Sequence, residues 1–158
     1  MSKKNYNVQF SLGSEKKTAK AIAANAPVSL KYSIEICREI KGKKLKWALQ
    51  FLQDITAHKR HLPLRRYKKE VPHRKGNAIS FTKTGRFPEN CCNKWVELLN
   101  QAKANADYKG LNSESLIVIH AFASKGVGRT SHQAQGKISG KMREKKAAHL
   151  EVIVREAS

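Results

Sequence analysis

The sequence predicts a single domain that combines helices with antiparallel strands. Near the carboxyl end two apolar runs, LIVIHAF beginning at Leu116 and AHLEVIV, are rich in β-branched residues, as strands are. In the second run Leu150 and Val152 alternate with His149 and Glu151, which is the period of a strand with one buried face. Upstream, three segments repeat apolar residues at intervals of three and four, which is typical of amphipathic helices. These patterns predict three helices and an antiparallel pair of strands.

Before the first helix the chain is polar and rich in lysine. We expect a short strand from Tyr6 to Phe10, followed by a loop or short helix in the small-residue run AKAIAANAP. The first helix is predicted over residues 30–41, because Ser29 is a suitable N-cap and Gly42 can follow the C-cap. The apolar stripe of this helix consists of Leu30, Ile34, Cys37 and Ile40.

Two further helices follow from the same periodicity. The second is predicted from about Leu45 to Lys59, and the third opens at Pro88 and ends at Gly110. We expect the third helix to pack on the sheet through Cys91, Cys92, Trp95, Val96, Leu99, Ala102 and Ala106. The spacing of the three cysteines fits neither a disulfide framework nor a CxxC metal pair, so we interpret them as reduced, mostly buried thiols.

A long basic insert separates the two strand-like runs. Residues 124–148 contain seven Lys or Arg and the single acid Glu144, and 25 residues is too long for an ordinary connection. If Val118 faces Val152, the midpoint of the pairing falls beside Gly136, where a tight turn favours glycine. We therefore predict that residues 124–148, hereafter the arm, form a two-stranded β-hairpin that projects from the domain. A flexible basic loop is the alternative.

The charge of the chain indicates a polyanionic partner. Its 158 residues contain 32 Lys and Arg against 12 Asp and Glu, which gives a formal net charge of +20. In a compact monomer the excess positive side chains repel one another. The arm has too few large apolar residues for a core and would become ordered against nucleic acid.

We expect one domain, residues 1–158, with no homo-oligomer. The sequence shows neither a membrane-spanning run nor a secretory signal, which predicts a soluble, intracellular protein.

Two basic stretches are candidates for nucleic-acid contact. Residues 58–75, HKRHLPLRRYKKEVPHRK, hold eight Lys or Arg and one acid, and are predicted to be an extended surface segment. Guanidinium groups bind phosphate in a bidentate manner and a tyrosine ring can stack on a base, whereas the alternative is a solvated loop. The candidates here are Lys59, Arg60, Arg65, Arg66, Tyr67, Lys68, Lys69, His73, Arg74 and Lys75. Those of the arm are Lys125, Arg129, His132, Lys137, Lys141, Arg143, Lys145 and Lys146.

Catalytic and cofactor patterns are missing from the sequence. It has no HExxH, Walker, GxSxG or dinucleotide-binding pattern, and its carboxylates are scattered, so we expect no cofactor and no enzyme. His58 and His61 can share a helical face, but a zinc site needs two further ligands. Two rival functions stay open at this point. One is an architectural DNA-binding protein with a basic β-arm, and the other, ranked last, is a ribonuclease that uses His58, His61 or His73 with a nearby lysine.

Three segments occur in one order along the chain: KYSIEICREIKGKKL, LPLRRYKKEVPHRKG and GRFPENCCNKWVELLNQAKANADYKGL. They are followed by a strand, the arm and a second strand. With this joint pattern the chain, from about Tyr6 to Glu156, resembles the large-subunit ribosomal protein family called L-twenty-two in bacteria and L-seventeen in eukaryotes. The RRY segment and the YKGL turn are closer to the archaeal and eukaryotic branch.

The resemblance implies an α+β domain, in which about three helices pack on a small antiparallel sheet of about three strands and a long basic β-hairpin projects. It implies a structural component of the large ribosomal subunit in the cytoplasm, which binds large-subunit ribosomal RNA and neighbouring ribosomal proteins.

The family's hairpin lines the exit tunnel of the nascent polypeptide, which the resemblance implies for the arm of this chain as well. Carried onto this sequence, the tip that lines the tunnel consists of Gln133, Ala134, Gln135, Gly136, Lys137 and Ile138. The family has an arginine-rich tip, whereas this chain has Gln133 and Lys137 at the corresponding positions. Neither side chain offers the bidentate fork of arginine, which weakens contacts to phosphate or base there.

Overall fold

A computed structural model of the chain describes residues 6–8, 17–71, 84–132, 136–137 and 140–157. The helices are α1 Leu30–Ile40, α2 Leu45–Thr56 and α3 Glu89–Tyr108. The strands are β1 Thr18–Ala26, β2 Leu62–Pro63, β3 Gly85–Arg86, β4 Leu116–Lys125, β5 Arg129–His132, β6 Met142–Lys145 and β7 Ala148–Glu156. Three helices with antiparallel sheets confirm the predicted α+β class.

The main sheet has three antiparallel strands in the order β1-β7-β4. Its central strand β7 is buried on both faces. Leu150, Val152 and Val154 join the core that includes the helices, while Glu151 and Ile153 are buried on the opposite face. Helix α3 packs against β1 and β7, and α1 packs against β4. The prediction that the third helix packs on the sheet is therefore confirmed.

Strand β1 corrects an expectation from the sequence. The run AKAIAANAP was expected to form a loop or a short helix, but it pairs with β7, with Ala19 opposite Val154 and Ala21 opposite Val152. Alanine favours helices in isolation. Here, however, Ala19 and Ala21 are buried where α3 packs against the sheet, and their small side chains let the two layers approach closely. Tertiary packing thus outweighs local propensity.

Strands β4 and β7 pair as predicted, but in a different register. Val118 lies opposite Val154 rather than Val152, and an irregularity between Val118 and His120 brings Ala121 opposite Val152. A β-bulge inserts one residue into one strand of a pair. The wrong prediction at Val118 has a different cause. A shift of two residues keeps every side chain on the same face of the sheet, so alternation along the strands does not distinguish Val154 from Val152 as the partner of Val118.

Helix α1 begins at the predicted residue and ends at Ile40, one residue before the predicted end. Ser29 occupies the N-cap position, although its side chain makes no capping hydrogen bond among the described residues. Gly42 follows the helix with a φ of +79°, a conformation that favours glycine, and its N–H donates to the carbonyl oxygen of Val118 (2.7 Å). Gly42 therefore both ends α1 and ties the end of the helix to β4.

Helix α2 is shorter than predicted. It ends at Thr56 rather than near Lys59, because His58 adopts a φ of +59° that breaks the helix. The apolar stripe of α2 is nevertheless buried at Leu45, Ala48, Leu52 and Ile55, while Leu49 is half-buried. Phe51, which flanks that stripe, is buried as well and stacks on Trp47 with 5.2 Å between ring centroids.

All three cysteines are free and buried, as predicted. Burial raises the pKa of the Cys91 thiol to about 11 and that of Cys92 to about 12, and it raises the pKa of Cys37 as well. The Sγ atom of Cys91 lies 3.2 Å from Oγ of Ser33, which joins α3 to α1. These thiols are protonated at neutral pH and act as packing groups.

The amino-terminal expectation is corrected for the residues that are described. Tyr6, Asn7 and Val8 do not form a strand, and Gln9 and Phe10 lie outside the described residues. Instead, the backbone N–H of Asn7 donates to Oε2 of Glu151 on β7 (3.0 Å). The chain thereby contacts the face of the main sheet that carries Glu151.

Candidate nucleic-acid interface

Only part of the basic stretch at residues 58–75 is a surface feature. His61, Leu62, Pro63 and Leu64 are buried, and β2 pairs with β3. The predicted extended conformation is confirmed at Leu62 and Pro63, but the predicted surface position was wrong for these four residues, and Leu62 and Leu64 belong to the core. The chain then emerges at the protein surface, where Arg65, Arg66, Lys68 and Lys69 are exposed and Tyr67 is half-buried. We call residues 61–69 the docked segment.

A buried carboxylate of α1 fixes the point at which the docked segment emerges. Glu35 is 1% exposed, and its Oε1 accepts hydrogen bonds from the backbone N–H groups of Arg66 (2.7 Å) and Tyr67 (2.8 Å). Hydrogen bonds to an ionised acceptor are stronger than those between neutral groups. Helix α1 therefore sets the course of the backbone at Arg66.

One turn further along α1, a second carboxylate pairs with the docked segment. Nη2 of Arg65 lies 3.1 Å from Oε1 of Glu39, whose side chain is 8% exposed. Burial raises the pKa of Glu39 and outweighs the opposite effects of Arg65 and Arg38. Arg65 therefore compensates a buried carboxylate, and only part of its guanidinium is available to a ligand.

Two tyrosine rings organise the cations around the docked segment. Arg66 and Lys31 lie over the Tyr67 ring, 5.3 and 5.8 Å from its centroid. Lys68 lies 4.6 Å from the centroid of Tyr32, and its Nζ donates to the tyrosine hydroxyl (2.9 Å). Cation–π contacts position a charge without neutralising it. Lys31 and Tyr32 were not among the candidates predicted from the sequence. Their position on α1, one turn before Glu35, could have indicated that they lie near the docked segment.

The remaining candidates of this stretch differ in their surroundings. Nε of Arg60 lies 3.6 Å from Oδ2 of Asp54, so its charge is partly balanced. Lys59 is exposed, as is Lys69. Three predicted contact residues lie outside the described residues: His73, Arg74 and Lys75.

The arm continues from β4 and β7 into a separate two-stranded sheet. Beyond the β4–β7 pair, β5 and β6 pair antiparallel with Arg129 opposite Lys145. Asn25, near the end of β1, fixes this junction. Its Oδ1 accepts a hydrogen bond from the N–H of Val127 (3.1 Å), and its own N–H donates to Nδ1 of His149 (3.0 Å). Asn25 has a φ of +51°, which asparagine adopts more readily than most residues, and sequence reasoning missed its role.

The cationic candidates of the arm that the structure describes are all exposed. They are Lys125, Arg129, His132, Lys137, Lys141, Arg143, Lys145 and Lys146. At the predicted tip, Gly136 has a φ of +89°, and both Gly136 and Lys137 are exposed. Four tip residues lie outside the described residues: Gln133, Ala134, Gln135 and Ile138. The pairing at the base of the arm is observed, whereas the closing turn and the length of the projecting hairpin stay predictions.

Within the described structure the histidines do not assemble into a catalytic or metal site. Nε2 of His58 lies 2.7 Å from Oε1 of Glu89, and its ring stacks on Phe87 with 4.7 Å between centroids. His61 is buried, and because α2 ends at Thr56 the two histidines do not share a helical face. No group of three His, Cys, Asp or Glu among the described residues could hold a metal ion.

Among the described residues, no helix is long and apolar enough to span a bilayer.

Comparisons with known proteins cover nearly the whole chain. The sequence model of the family described as Ribosomal protein L22p/L17e matches residues 21–155. The large ribosomal subunit protein uL22 of Methanococcus vannielii is 39% identical over 158 residues, which is 99% of each chain. That of Methanocaldococcus jannaschii is 39% identical over 158 residues, 99% of this chain and 97% of the relative. That of Archaeoglobus fulgidus is 40% identical over 120 residues, 76% of each. On this extent of similarity, the chain belongs to the ribosomal protein L22p/L17e family, as its three ordered segments predicted.

Proposed function

We propose that this chain is a structural component of the large ribosomal subunit in the cytoplasm and that it binds large-subunit ribosomal RNA. The observation that carries the proposal is that two sets of exposed cations extend from one α+β core, one on residues 65–69 of the docked segment and the other on the arm. The net charge of +20 requires a polyanion to offset it, and the relatives are named as large-subunit proteins. Its relatives are ribosomal proteins rather than enzymes, and we assign no catalytic role.

The docked segment supports RNA binding by presenting cations in fixed positions. Arg66, Lys31 and Lys68 are held over tyrosine rings. Phosphate contacts release counter-ions from the RNA, so each cation contributes to an affinity that falls with salt. Because these groups are already in place, little conformational entropy is lost when RNA binds.

The arm supports a second mode of binding. Its cations are exposed, and neither β5 nor β6 contains a buried residue, so contact with RNA would order side chains that the protein core does not hold. In this proposal the flanks of the arm bind ribosomal RNA, while Gly136 and its neighbours face the nascent polypeptide in the exit tunnel. Other large-subunit proteins would contact the remaining surface, and the protein would be present as a single copy.

Sedimentation of the tagged chain from a cell lysate through a sucrose gradient in high salt tests this proposal. We expect co-migration with large subunits and with intact ribosomes. A photo-crosslinker at Lys137 should then label nascent chains, whereas the same group at Lys103 on α3 should not. Migration at the top of the gradient would contradict the ribosomal proposal, and migration with chromatin would favour a DNA-binding arm.

A further inference from the structure

A small groove lies where the edge strand β4 runs past α1. It has a volume of about 310 Å³, and Ile34, Ala121 and Phe122 contribute its apolar lining. Ligand sites in proteins span about 300–1,000 Å³, so this groove suits one small group rather than a long segment of chain. The half-buried Phe122 also offers a flat aromatic surface of the kind on which nucleobases stack.

Cations surround this apolar lining. Arg38, Lys41 and Arg66 belong to the groove, and all three are exposed. Glu35 is the one acid among the described residues that line it, which leaves three positive charges against one negative. The Oε1 atom of Glu35 already accepts two backbone hydrogen bonds, so this oxygen is engaged by the protein itself. The charge pattern favours a ligand with an anionic part and an apolar, flat part.

The position of Arg66 is fixed before any ligand arrives. Glu35 holds the backbone N–H of Arg66, and the Arg66 guanidinium lies 5.3 Å from the centroid of Tyr67. Arg38 and Lys41 belong to α1 and to the residue that follows it. The groove is therefore built from a helix, a strand and an anchored backbone, and such elements hold a binding site in one geometry.

We propose that this groove binds a single unstacked nucleotide of ribosomal RNA, with the base against Phe122 and Ile34 and the phosphate near Arg38, Lys41 and Arg66. This inference rests on the proposed function and deepens it by naming a specific site. An acidic peptide would satisfy the three cations but would leave the apolar lining without a matching group. A nucleotide satisfies both parts.

The test compares two oligonucleotides on the purified full chain by fluorescence anisotropy at fixed salt. One is a single-stranded RNA of six nucleotides, and the other is the same sugar-phosphate chain without bases. Stacking contributes about 1–3 kcal/mol per base, so we expect the complete RNA to bind about 5-fold to 160-fold more tightly. In Phe122→Leu, which keeps apolar bulk but removes the aromatic face, this ratio should fall towards one.

The matched aromatic control is Tyr108→Leu, because Tyr108 is 94% exposed at the end of α3. It should keep the wild-type ratio. Equal ratios in the wild-type chain and Phe122→Leu would overturn the proposal, as would an equal fall in the Tyr108 variant. Circular dichroism checks that each variant is folded, and Phe122→Met provides a second variant should Phe122→Leu unfold.

The charge pattern has its own matched pair. Arg38→Ala with Lys41→Ala should weaken binding of the complete RNA several-fold more than Lys46→Ala with Lys103→Ala, which also removes two positive charges. Equal losses would overturn the phosphate assignment, and stronger competition by a hexa-aspartate peptide than by RNA would assign the groove to a protein partner. Co-sedimentation of Phe122→Leu with large subunits separates the two proposals. If this variant still co-sediments and its affinity ratio between complete and base-free RNA equals that of the wild-type chain, the proposal for the groove is rejected while the ribosomal proposal stands.

Discussion

The docked segment and the arm have similar basic sequences but differ in how the protein holds them. In the docked segment, Glu35 and Glu39 of α1 accept hydrogen bonds and an ion pair, and the preceding residues are buried. In the arm, the described cations are exposed, and the side-chain contacts that tie the arm to the core lie at its base around Asn25. The difference shows that buried acceptors in the core, rather than the density of Lys and Arg, decide whether a basic surface is anchored to the core.

The two regions would therefore lose different amounts of conformational entropy on binding RNA. A preorganised surface loses few degrees of freedom, whereas an exposed ribbon orders its side chains at the moment of contact. Four changes to the chain, taken in order of decreasing effect, test this contrast through the stability of each region.

Gly85→Ala should destabilise the chain most, because an added Cβ would overlap the buried ring of His61 at the start of the docked segment. Overpacking of this kind costs about 3 kcal/mol. The free energy of unfolding, measured with urea and circular dichroism, should fall accordingly. The control is Gly136→Ala in the arm, where an added Cβ would have no described atom within 4 Å. Its positive φ makes alanine unfavourable, but only locally. Equal losses of unfolding free energy in Gly85→Ala and Gly136→Ala would contradict the difference between the docked segment and the arm.

Glu35→Ala should come next. It removes the acceptor for the backbone N–H groups of Arg66 and Tyr67, at a cost of about 2 kcal/mol. Glu35→Gln keeps one acceptor oxygen and should lose about half as much. Hydrogen exchange at the Arg66 and Tyr67 amides should accelerate in the alanine variant. The control Glu97→Ala removes only an exposed pair with Lys94 on α3 and should cost about 0.5 kcal/mol or less. Unchanged amide protection in Glu35→Ala would show that the carboxylate does not anchor the segment.

A smaller, pH-dependent effect is expected from the main sheet to which both regions are attached. Burial lowers the pKa of His120 below its ordinary value of 6.5, outweighing the neighbouring Glu151, which raises it, while Lys41 adds to the lowering. The unfolded chain therefore binds this proton more readily than the folded one. Its contribution to stability is complete above pH 6.5 and declines as the pH falls below that value.

Unfolding of the wild-type chain and of His120→Gln, measured between about pH 7.5 and about pH 5, isolates this contribution. The loss of stability on acidification should be smaller in His120→Gln. The control His132→Gln changes an exposed histidine of the arm and should follow the wild-type curve. If the unfolding free energies of the wild-type chain and His120→Gln change in parallel with pH, His120 is not the source of the pH dependence.

Deletion of residues 130–139 should change stability least. The described residues removed belong to the exposed arm and make no contribution to the core, so the unfolding free energy should change by less than about 0.5 kcal/mol. Cooperative unfolding should persist, and incorporation into large subunits should survive. Loss of cooperativity in this variant would show that the division into core and arm is wrong.

Much of the fold follows from local patterns. Helices α1 and α3 were predicted nearly to their ends, because apolar periodicity and residues such as Gly42 act over a few positions. The pairing of β4 with β7 was also predicted, whereas β1 was not, since a run of alanines carries no strand signal until a helix packs on it. The exposed positions of Arg66 and Lys68 were predicted from composition, but their partners on α1 were not.

The class of the domain, the family and the presence of two basic regions could all be inferred from the amino-acid order, because periodicity, charge and ordered segments are properties of the chain alone. The register of β4 on β7, the strand at β1 and the anchoring of one basic region but not the other depend on the folded core. Each of these involves residues far apart in sequence, such as Val118 with Val154, Ala19 with Val154, and Glu35 with Arg66. Such pairs become neighbours only after the core has formed, so no local pattern reports them.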